Sequence, residues 1–400
     1  MERLPEDLVM EILSRVSLSS LQDCRLVCKH WNTLMSGPIF ARLRCTHGMS
    51  SLMVWREVKD KFKLDVIDPC NLQTRKLRSP LTDFNYHDFY VVGSCNGLLC
   101  LSESVHQTPI YVCNPSLGEY LTLPIGERRL SDVFDGYFYG TGFGYDPAES
   151  DVYKVVRLYY TSPEYLLDMA FDKAEICTVG RGGSSGSWRV IDGSYDRPRI
   201  NPVSHILLDG RLYWMAWRRE YPRRMLFNGM VSFGIREEEF RVVPCPSALV
   251  CGSKREDKVN LASLRGCLTV VDSSSENWID IWLMKDPRIG ESWVKEYTIH
   301  LTLPQRHLSP KIEPLMILKN GDILLRTGRG LATYDPRNGH FLVRLVETTT
   351  PLVAFPYVEN LNSLKEACND GERMGRWDST FYPVRKSRGP REPYRVALLR

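Results

Sequence analysis

The sequence predicts a small N-terminal α-helical unit followed by an all-β domain built as a six-bladed β-propeller. Three observations carry that expectation. Apolar residues in the first forty positions recur at helical spacing on two faces. Past Met49 this periodicity gives way to short β-rich runs broken by turn residues, almost to the end of the chain. Those runs repeat at a nearly constant interval.

The helical unit opens at Leu4-Pro5. Proline suits the first turn of a helix, where a missing N–H costs nothing, and Glu6 and Asp7 put negative charge at the positive end of its dipole. Leu8, Ile12 and Arg15 fall on one face, with Val9, Leu13 and Val16 on the next. A second helix opens at Ser20, with Asp23 three residues on in a variant of the capping box. Its apolar residues run Leu21, Cys24, Val27 or Cys28, and Trp31. Two or three helices fit this stretch, and Pro38-Ile39-Phe40-Ala41 closes it with one more short helix or turn. Together they carry more apolar side chains than so small a unit can bury alone.

In the β-region a strand follows a glycine-bearing turn at Asn96-Gly97, Asp209-Gly210, Arg265-Gly266 and Asn320-Gly321. The last three glycines lie 56 and 55 residues apart. Gly97 and Gly210 are 113 apart, about twice that unit, and the strand Tyr153–Leu158 sits midway. Ser51–Trp55 with Lys63–Ile67 supplies the sixth unit. An Asx-Pro pair at Asp68-Pro69, Asn114-Pro115, Asp146-Pro147 and Asp335-Pro336 fixes a further tight turn, because proline presets φ and the Asx side chain bonds the backbone beyond it. One such sheet cannot bury its faces alone, whereas neighbours stacked in a ring can. Six is the count, against five or seven. Pro351–Val358 is expected as the closing strand, added to the first blade.

The apolar fraction of 43% and charged fraction of 25% suit a globular chain with a sizeable core. The net charge of +4 argues neither for nor against nucleic acid, and none is expected as a partner. Leu4–Leu13 is interrupted by Glu6, Asp7 and Glu11, so no signal peptide is read there. No run is long enough to span a membrane, and the expected location is cytoplasm, nucleus or both. The 12 cysteines form no Cys-x-x-Cys pair and are expected to be reduced, mostly buried thiols. Neither a metal nor a cofactor is expected. From Gly371 to Arg400 eight basic residues face three acidic ones, which reads as a basic tail over 370–400 without regular structure, most simply a solvated one.

The order Leu4-Pro5, Leu8, Glu11-Ile12-Leu13-Ser14-Arg15, Leu21 and Cys24-Arg25-x-Val27-Cys28-Lys29-x-Trp31 resembles an F-box, assigned here to residues 1–45. That resemblance implies docking onto a Skp-family adaptor and, through it, a cullin scaffold in a ubiquitin ligase. Leu4, Pro5, Leu8, Ile12, Leu13, Leu21, Val27 and Trp31 would form or support the adaptor-binding surface. Residues 1–45 are expected to bind the adaptor unaided, with Trp31 as a buried anchor. Residues 50–360 resemble the F-box-associated domain of plant F-box proteins, a kelch-like propeller. The likeness rests on Val92–Cys100, Asn114-Pro115-Ser116, Leu123-Pro124, Gly142–Pro147 and Asp151–Val156, with Gly186–Arg189 and Leu212–Trp214. The Gly-Gly pair of true kelch blades is reduced here to Asn-Gly or Asp-Gly. The implied role is a non-catalytic subunit whose propeller holds a protein substrate for ubiquitination and proteasomal degradation.

Several segments invite a chemical reading. Gly140-Thr141-Gly142-Phe143-Gly144 looks phosphate-binding, yet no helix follows to cradle an anion, and a strand start is expected. Gly180–Gly186 lacks the lysine of a P-loop and reads as a hairpin tip. Glu237-Glu238-Glu239 reads as a solvated turn, and no residue is assigned a catalytic role. Trp217, Arg218, Arg219, Tyr221, Arg223 and Arg224 form the better candidate, a loop for substrate binding, since arginine grips carboxylate or phosphate bidentately and stacks on aromatics. The simpler reading of the same loop is a solvated connection. Val133–Tyr139, an aromatic linker, is the second candidate. The rival from another class is a propeller enzyme or glycan-binding module with an incidental helical cap.

Overall fold

The computed structural model describes residues 4–16, 18–37, 39–40, 43–44, 51–58, 61–76, 89–103, 109–124, 138–146, 152–159, 173–180, 187–191, 199–220, 224–250, 258–287, 292–301, 312–328, 330–346, 352–361, 363–364 and 374–376. Three helices come first: α1 (Glu6–Ser14), α2 (Leu18–Val27) and α3 (Lys29–Ser36). Then follow β1 (Ser51–Val58), β2 (Lys61–Ile67) and β3 (Thr74–Lys76), and β4 (Phe89–Cys95), β5 (Leu98–Glu103), β6 (Pro109–Asn114) and β7 (Glu119–Thr122). The third group is β8 (Phe138–Tyr145), β9 (Val152–Tyr159), β10 (Lys173–Gly180) and β11 (Arg189–Ile191). The fourth is β12 (Arg199–Leu208), β13 (Arg211–Glu220), β14 (Arg224–Gly234) and β15 (Phe240–Val243). The fifth is β16 (Val259–Leu264), β17 (Cys267–Asp272), β18 (Trp278–Met284) and β19 (Trp293–His300). The sixth is β20 (Glu313–Ile317), β21 (Ile323–Thr327), β22 (Gly330–Asp335) and β23 (His340–Val346), and β24 (Val353–Tyr357) and β25 (Met374–Arg376) end the chain's described strands.

These strands make six antiparallel sheets, the six blades. The glycine turns join the first strand of a blade to its second. Asn96-Gly97, Asp209-Gly210 and Arg265-Gly266 are two-residue turns with both φ positive, the geometry whose twist matches flanking strands. Asn320-Gly321 belongs to a longer connection, closed by Leu318 N–H donating to Asp322 O at 2.8 Å. The Asx-Pro turns join third strand to fourth. Asp68, Asn114 and Asp335 each accept, through Oδ1, the N–H two residues on, at 2.8, 2.9 and 2.9 Å. Asp146-Pro147 differs: it follows β8, so it stands between first and second strands. A further pair at Asp286-Pro287, not singled out from the sequence, occupies the third-to-fourth position in blade 5.

The ring closes in two ways. β24 pairs with β1 in blade 1, Ser51 opposite Tyr357 through Trp55 opposite Val353, so the chain's end supplies the innermost strand of its first sheet. Innermost strands then neighbour one another in the cycle β24, β4, β8, β12, β16, β20 and back to β24. One apolar cluster fills each of the six gaps between blades. The glycine-rich start of β8 serves one of these gaps rather than an anion. A Cβ on Gly142 would lie 2.7 Å from both Leu212 Cδ1 and Trp214 Cζ2 of blade 4. Cys95, Cys100, Cys113 and Cys177 are buried thiols, whereas Cys28 and Cys70 are exposed.

First-to-second and third-to-fourth turns lie at one end of the ring, here the near end. Second-to-third turns and blade-to-blade connections lie at the far end. The helices sit at the near end. Leu13, Leu21, Met35 and Phe40 form their core, and Leu361, from the segment after β24, completes it beside Leu117 of the β6–β7 turn. Arg44 is buried and donates to Ser14 O, Val16 O and Glu359 O at 3.3, 2.6 and 3.2 Å. Residues 1–45 therefore do not carry a complete core of their own.

Three further differences from expectation have local causes. Met374–Arg376, within the basic stretch 370–400, is not irregular: it pairs with β7 and adds a fifth strand to blade 2. Glu238 is not a solvated turn residue. Its left-handed backbone carries the carboxylate to Lys154 Nζ at 3.0 Å and to Arg189, tying the blade 4 turn to blade 3. Val133–Tyr137 and 181–186 lie outside the described residues, while Phe138 and Tyr139 open β8 and Gly180 ends β10.

Gly97 and Gly266 separate backbone strain from steric overlap. Gly97 has φ +75°, and a Cβ there would lie 2.6 Å from Asn360 Cγ; Gly266 has φ +68° with open space around it. Gly266→Ala is expected to cost about 1–2 kcal/mol from the left-handed backbone alone. Gly97→Ala should cost roughly a further 1–3 kcal/mol from overpacking. Urea unfolding of both variants checks this, and equal losses would contradict it.

At Glu238, burial works against ionisation, but hydrogen bonds and charge from Arg189 and Lys154 outweigh it and hold the carboxyl below its usual value. The ionised form therefore adds stability at neutral pH, and that contribution disappears as pH falls through the depressed value. The melting-temperature gap between the parent protein and Glu238→Gln should shrink as pH drops below the ordinary carboxylate range. A gap that holds constant would contradict it.

Candidate functional site: an exposed apolar face on the helical unit

Helix α1 divides its apolar residues cleanly. Val9 and Leu13 turn inward with Val16 just beyond the helix, whereas Leu4, Leu8 and Ile12, spaced by four, are 60%, 50% and 55% exposed. Pro5 stands at the N-cap, also exposed, with its carbonyl accepting from Leu8 and Val9 N–H at 3.1 Å each. Leu21 of α2 is fully buried, and the helix ends on Leu26 and Val27, 85% and 66% exposed.

The second helix starts earlier than Ser20 and stops at Val27, because Cys28 adopts an extended backbone. Its thiol accepts from Trp31 N–H at 3.4 Å and so caps a separate helix, α3. Trp31 belongs to α3. It is half-buried against the core rather than a fully buried anchor. Arg25 joins α2 to α3 through Asn32 Oδ1 at 2.6 Å and Ser36 Oγ at 3.2 Å. Glu6 lies 3.4 Å from the His30 imidazole, which brings the start of α3, and Leu26-Val27 just before it, beside the start of α1.

Among the described residues, Leu4, Pro5, Leu8, Ile12 and Val27 thus share an uncovered face. Leu13 and Leu21 support it from inside, with Trp31 between the two. Leu26, which sequence reasoning passed over, is the most exposed large apolar residue among the described residues of this unit. Only its position next to Val27 at a helix end could have pointed to it. An apolar face this exposed is a docking surface in waiting.

Elsewhere the geometry offers little chemistry. Among the described residues no group of three His, Cys, Asp or Glu side chains could hold a metal. No described helix is long and apolar enough to cross a membrane. His205 is half-buried, and desolvation of its ring pushes its pKa down to about 4, leaving a neutral imidazole that packs beside Trp214. The candidate substrate residues divide differently from expectation. Trp217, Arg218 and Arg219 lie in β13 and Arg224 opens β14, so they extend a hairpin rather than a loop. Tyr221 and Arg223 lie outside the described residues.

Helices capped onto a six-bladed ring, with one apolar helical face left bare, define an F-box protein with a propeller. Comparison with known proteins agrees. Residues 1–43 match the F-box domain, and residues 51–328 match the F-box associated beta propeller domain. The chain belongs to this family of F-box proteins with an associated β-propeller. F-box protein At3g07870 of Arabidopsis thaliana is 29% identical over 85% of this chain and 87% of its own. F-box/kelch-repeat protein At3g23880 of the same plant is 27% identical over 84% and 89%. An α-L-arabinanase of Penicillium chrysogenum superposes with a TM-score of 0.39 at 11% identity, over 77% of this chain and 86% of that one, a likeness too slight to inform function.

Burial separates the two faces energetically. Leu21→Ala should cost about 2–5 kcal/mol and Leu26→Ala less than about 0.5 kcal/mol. Trp31→Ala should fall between, at about 1–3 kcal/mol. Chemical unfolding of the full chain gives the ranking, and a Leu26 loss as large as that of Leu21 would place Leu26 inside.

Proposed function

We propose that this protein is a substrate-recognition subunit of a Skp–cullin–F-box ubiquitin ligase, in cytoplasm, nucleus or both. The carrying observation is the bare apolar face of Leu4, Leu8, Ile12, Leu26 and Val27. A stable interface of standard size covers about 800 Å² per partner, and five exposed apolar side chains around two helix starts and one helix end suit the centre of such a patch. The adaptor would cover that face, and a cullin scaffold would join through the adaptor. The propeller would hold a protein substrate. The subunit does no bond chemistry in this reading. It raises the effective concentration of a substrate lysine near a ubiquitin-charged enzyme on the same scaffold, leading to degradation of the substrate.

The test is copurification with a Skp-family adaptor. Leu8→Glu with Ile12→Glu should abolish it, since two charges would be desolvated in an apolar interface. Both sites are exposed, so the melting temperature of the free chain should stay within about 2 °C. Unchanged adaptor recovery from the double variant would overturn the reading.

A further inference from the structure

The last strand of a blade ends its sheet at the outer rim, and blade 2 shows what such an edge accepts. There β7, four residues long, receives β25 as an antiparallel neighbour, with Leu121 opposite Met374 and Glu119 opposite Arg376. With that strand in place Leu121 is buried and Tyr120 half-buried. Among the described strands, β11, β15, β19 and β23 end their sheets without such an addition. An edge of this kind presents a row of unpaired backbone N–H and C=O groups, and charged side chains commonly guard it. That guard is visible on three of the four. Among the described residues β11, β15 and β19 each expose one large apolar side chain, Val190, Val242 and Val294, and each has an exposed basic residue next to it, Arg189, Arg241 and Lys295.

The edge of β23 is different. Leu342 and Val343 are 53% and 40% exposed, and the stretch His340-Phe341-Leu342-Val343 holds no acid, lysine or arginine. Consecutive residues of a strand point to opposite faces. Val343 stands opposite Ala332 and Phe341 opposite Tyr334, and both partners belong to the cluster between blades 5 and 6, so Val343 faces blade 5. Leu342 stands opposite Thr333, which pairs with Leu324 of the cluster between blades 6 and 1, so Leu342 faces blade 1. A partner lying on one face of the sheet would cover one of these side chains. A strand added at the edge borders both.

The backbone is fit for that addition. The ladder from β23 to β22 is regular from His340 to Val343, four residues as in β7, and shifts only beyond, at Arg344. Charge indicates what the added segment carries. His340 and Arg344 are exposed, and Asp335, the acid opposite His340, is already engaged by Arg337 at 2.8 and 3.0 Å. We propose that the edge of β23 docks an extended segment of a partner protein as a fifth strand of blade 6, with apolar side chains beside Leu342 and Val343 and an acidic one beside Arg344. Main-chain hydrogen bonds would hold the segment, and its side chains would select it. The site rests on the proposed function only in taking that partner as the ligase substrate.

The probe is a displayed library of random linear peptides, panned against the full-length chain, with the selected sequence then synthesised. That peptide should combine apolar residues with an acid and should slow amide hydrogen exchange over residues 340–343. Leu342→Lys and Val343→Lys, both at exposed sites, should each weaken binding about fivefold or more, since charge at an edge opposes strand addition. Arg344→Ser should weaken it several-fold. N-methylation of alternate peptide nitrogens should abolish binding while leaving every side chain in place. Sensitivity to only one of the two lysine variants, or indifference to N-methylation, would put the peptide on a face of the sheet and overturn the proposal. No selection at all would overturn it too. Self-association of the free chain that Leu342→Lys removes would make a second copy the occupant, and would likewise overturn it. Adaptor copurification, read in parallel, keeps the two readings apart: its failure would count against the ligase role and not against strand addition at β23.

Discussion

Everything in this fold depends on a short stretch near its C-terminal end, residues 353–364. A ring of sheets has no natural end, and an open one would leave two apolar faces bare. Here β24 closes the ring, and described residues just after it are held against the protein. Tyr357 donates to Gly97 O at 3.1 Å, and Asn360 accepts from Asn114 Nδ2 at 3.4 Å through both its carbonyl and its side chain. Glu119, buried, accepts from Ser363 Oγ and Leu364 N–H at 2.9 and 3.0 Å. Leu361 then enters the helical core. One segment thereby closes the propeller, binds blade 1 to blade 2 and seats the F-box.

That seating resolves the surplus of apolar residues in the first forty positions. Three helices of 9, 10 and 8 residues cannot enclose both of their apolar faces. The inner face finds Leu361 and Leu117 of the propeller. Among the described residues nothing covers the outer face. Because Arg44 bonds both the α1–α2 connection and Glu359, the bare face is also held in a fixed direction relative to the ring. A partner bound there would stand in a set orientation to whatever the propeller holds.

Much of this was legible in the sequence, for identifiable reasons. The 56- and 55-residue spacing and the Asx-Pro pairs are local signals. They work through backbone dihedrals and hydrogen bonds that reach two residues on, and so they located six blades; the closing strand followed from the need to join the first sheet to the last. What escaped was set by tertiary contact. Nothing near Cys28 announces that its thiol caps a new helix, since cysteine is not a usual N-cap. Leu13 and Leu26 look alike as residues, and only packing against the propeller makes one buried and the other bare. Glu238 looks solvated until the ring brings Lys154 and Arg189 to it. Met374–Arg376 becomes a strand only because the edge of β7 is free to receive it.

The two ends of the ring are under different constraints, and this bears on how such a protein changes partners. At the near end, two-residue turns with positive φ leave no slack, and Gly97 meets Asn360 so closely that even a methyl group would clash. Alterations there would disturb the seat of the helices. At the far end, the β17–β18 connection, residues 273–277, joins strands without entering that seat. The blade 4 hairpin shows the consequence: its strands lengthen past a bulge while the register near the Asp209-Gly210 turn stays intact, with Leu208 opposite Arg211 and Arg211 opposite Gly234. A far-end surface can therefore be rebuilt in length, charge and aromatic content while the near end keeps one fixed geometry. The fold thus separates a constrained end from one free to change by strand direction alone, because each strand that leaves the near end must turn at the far one.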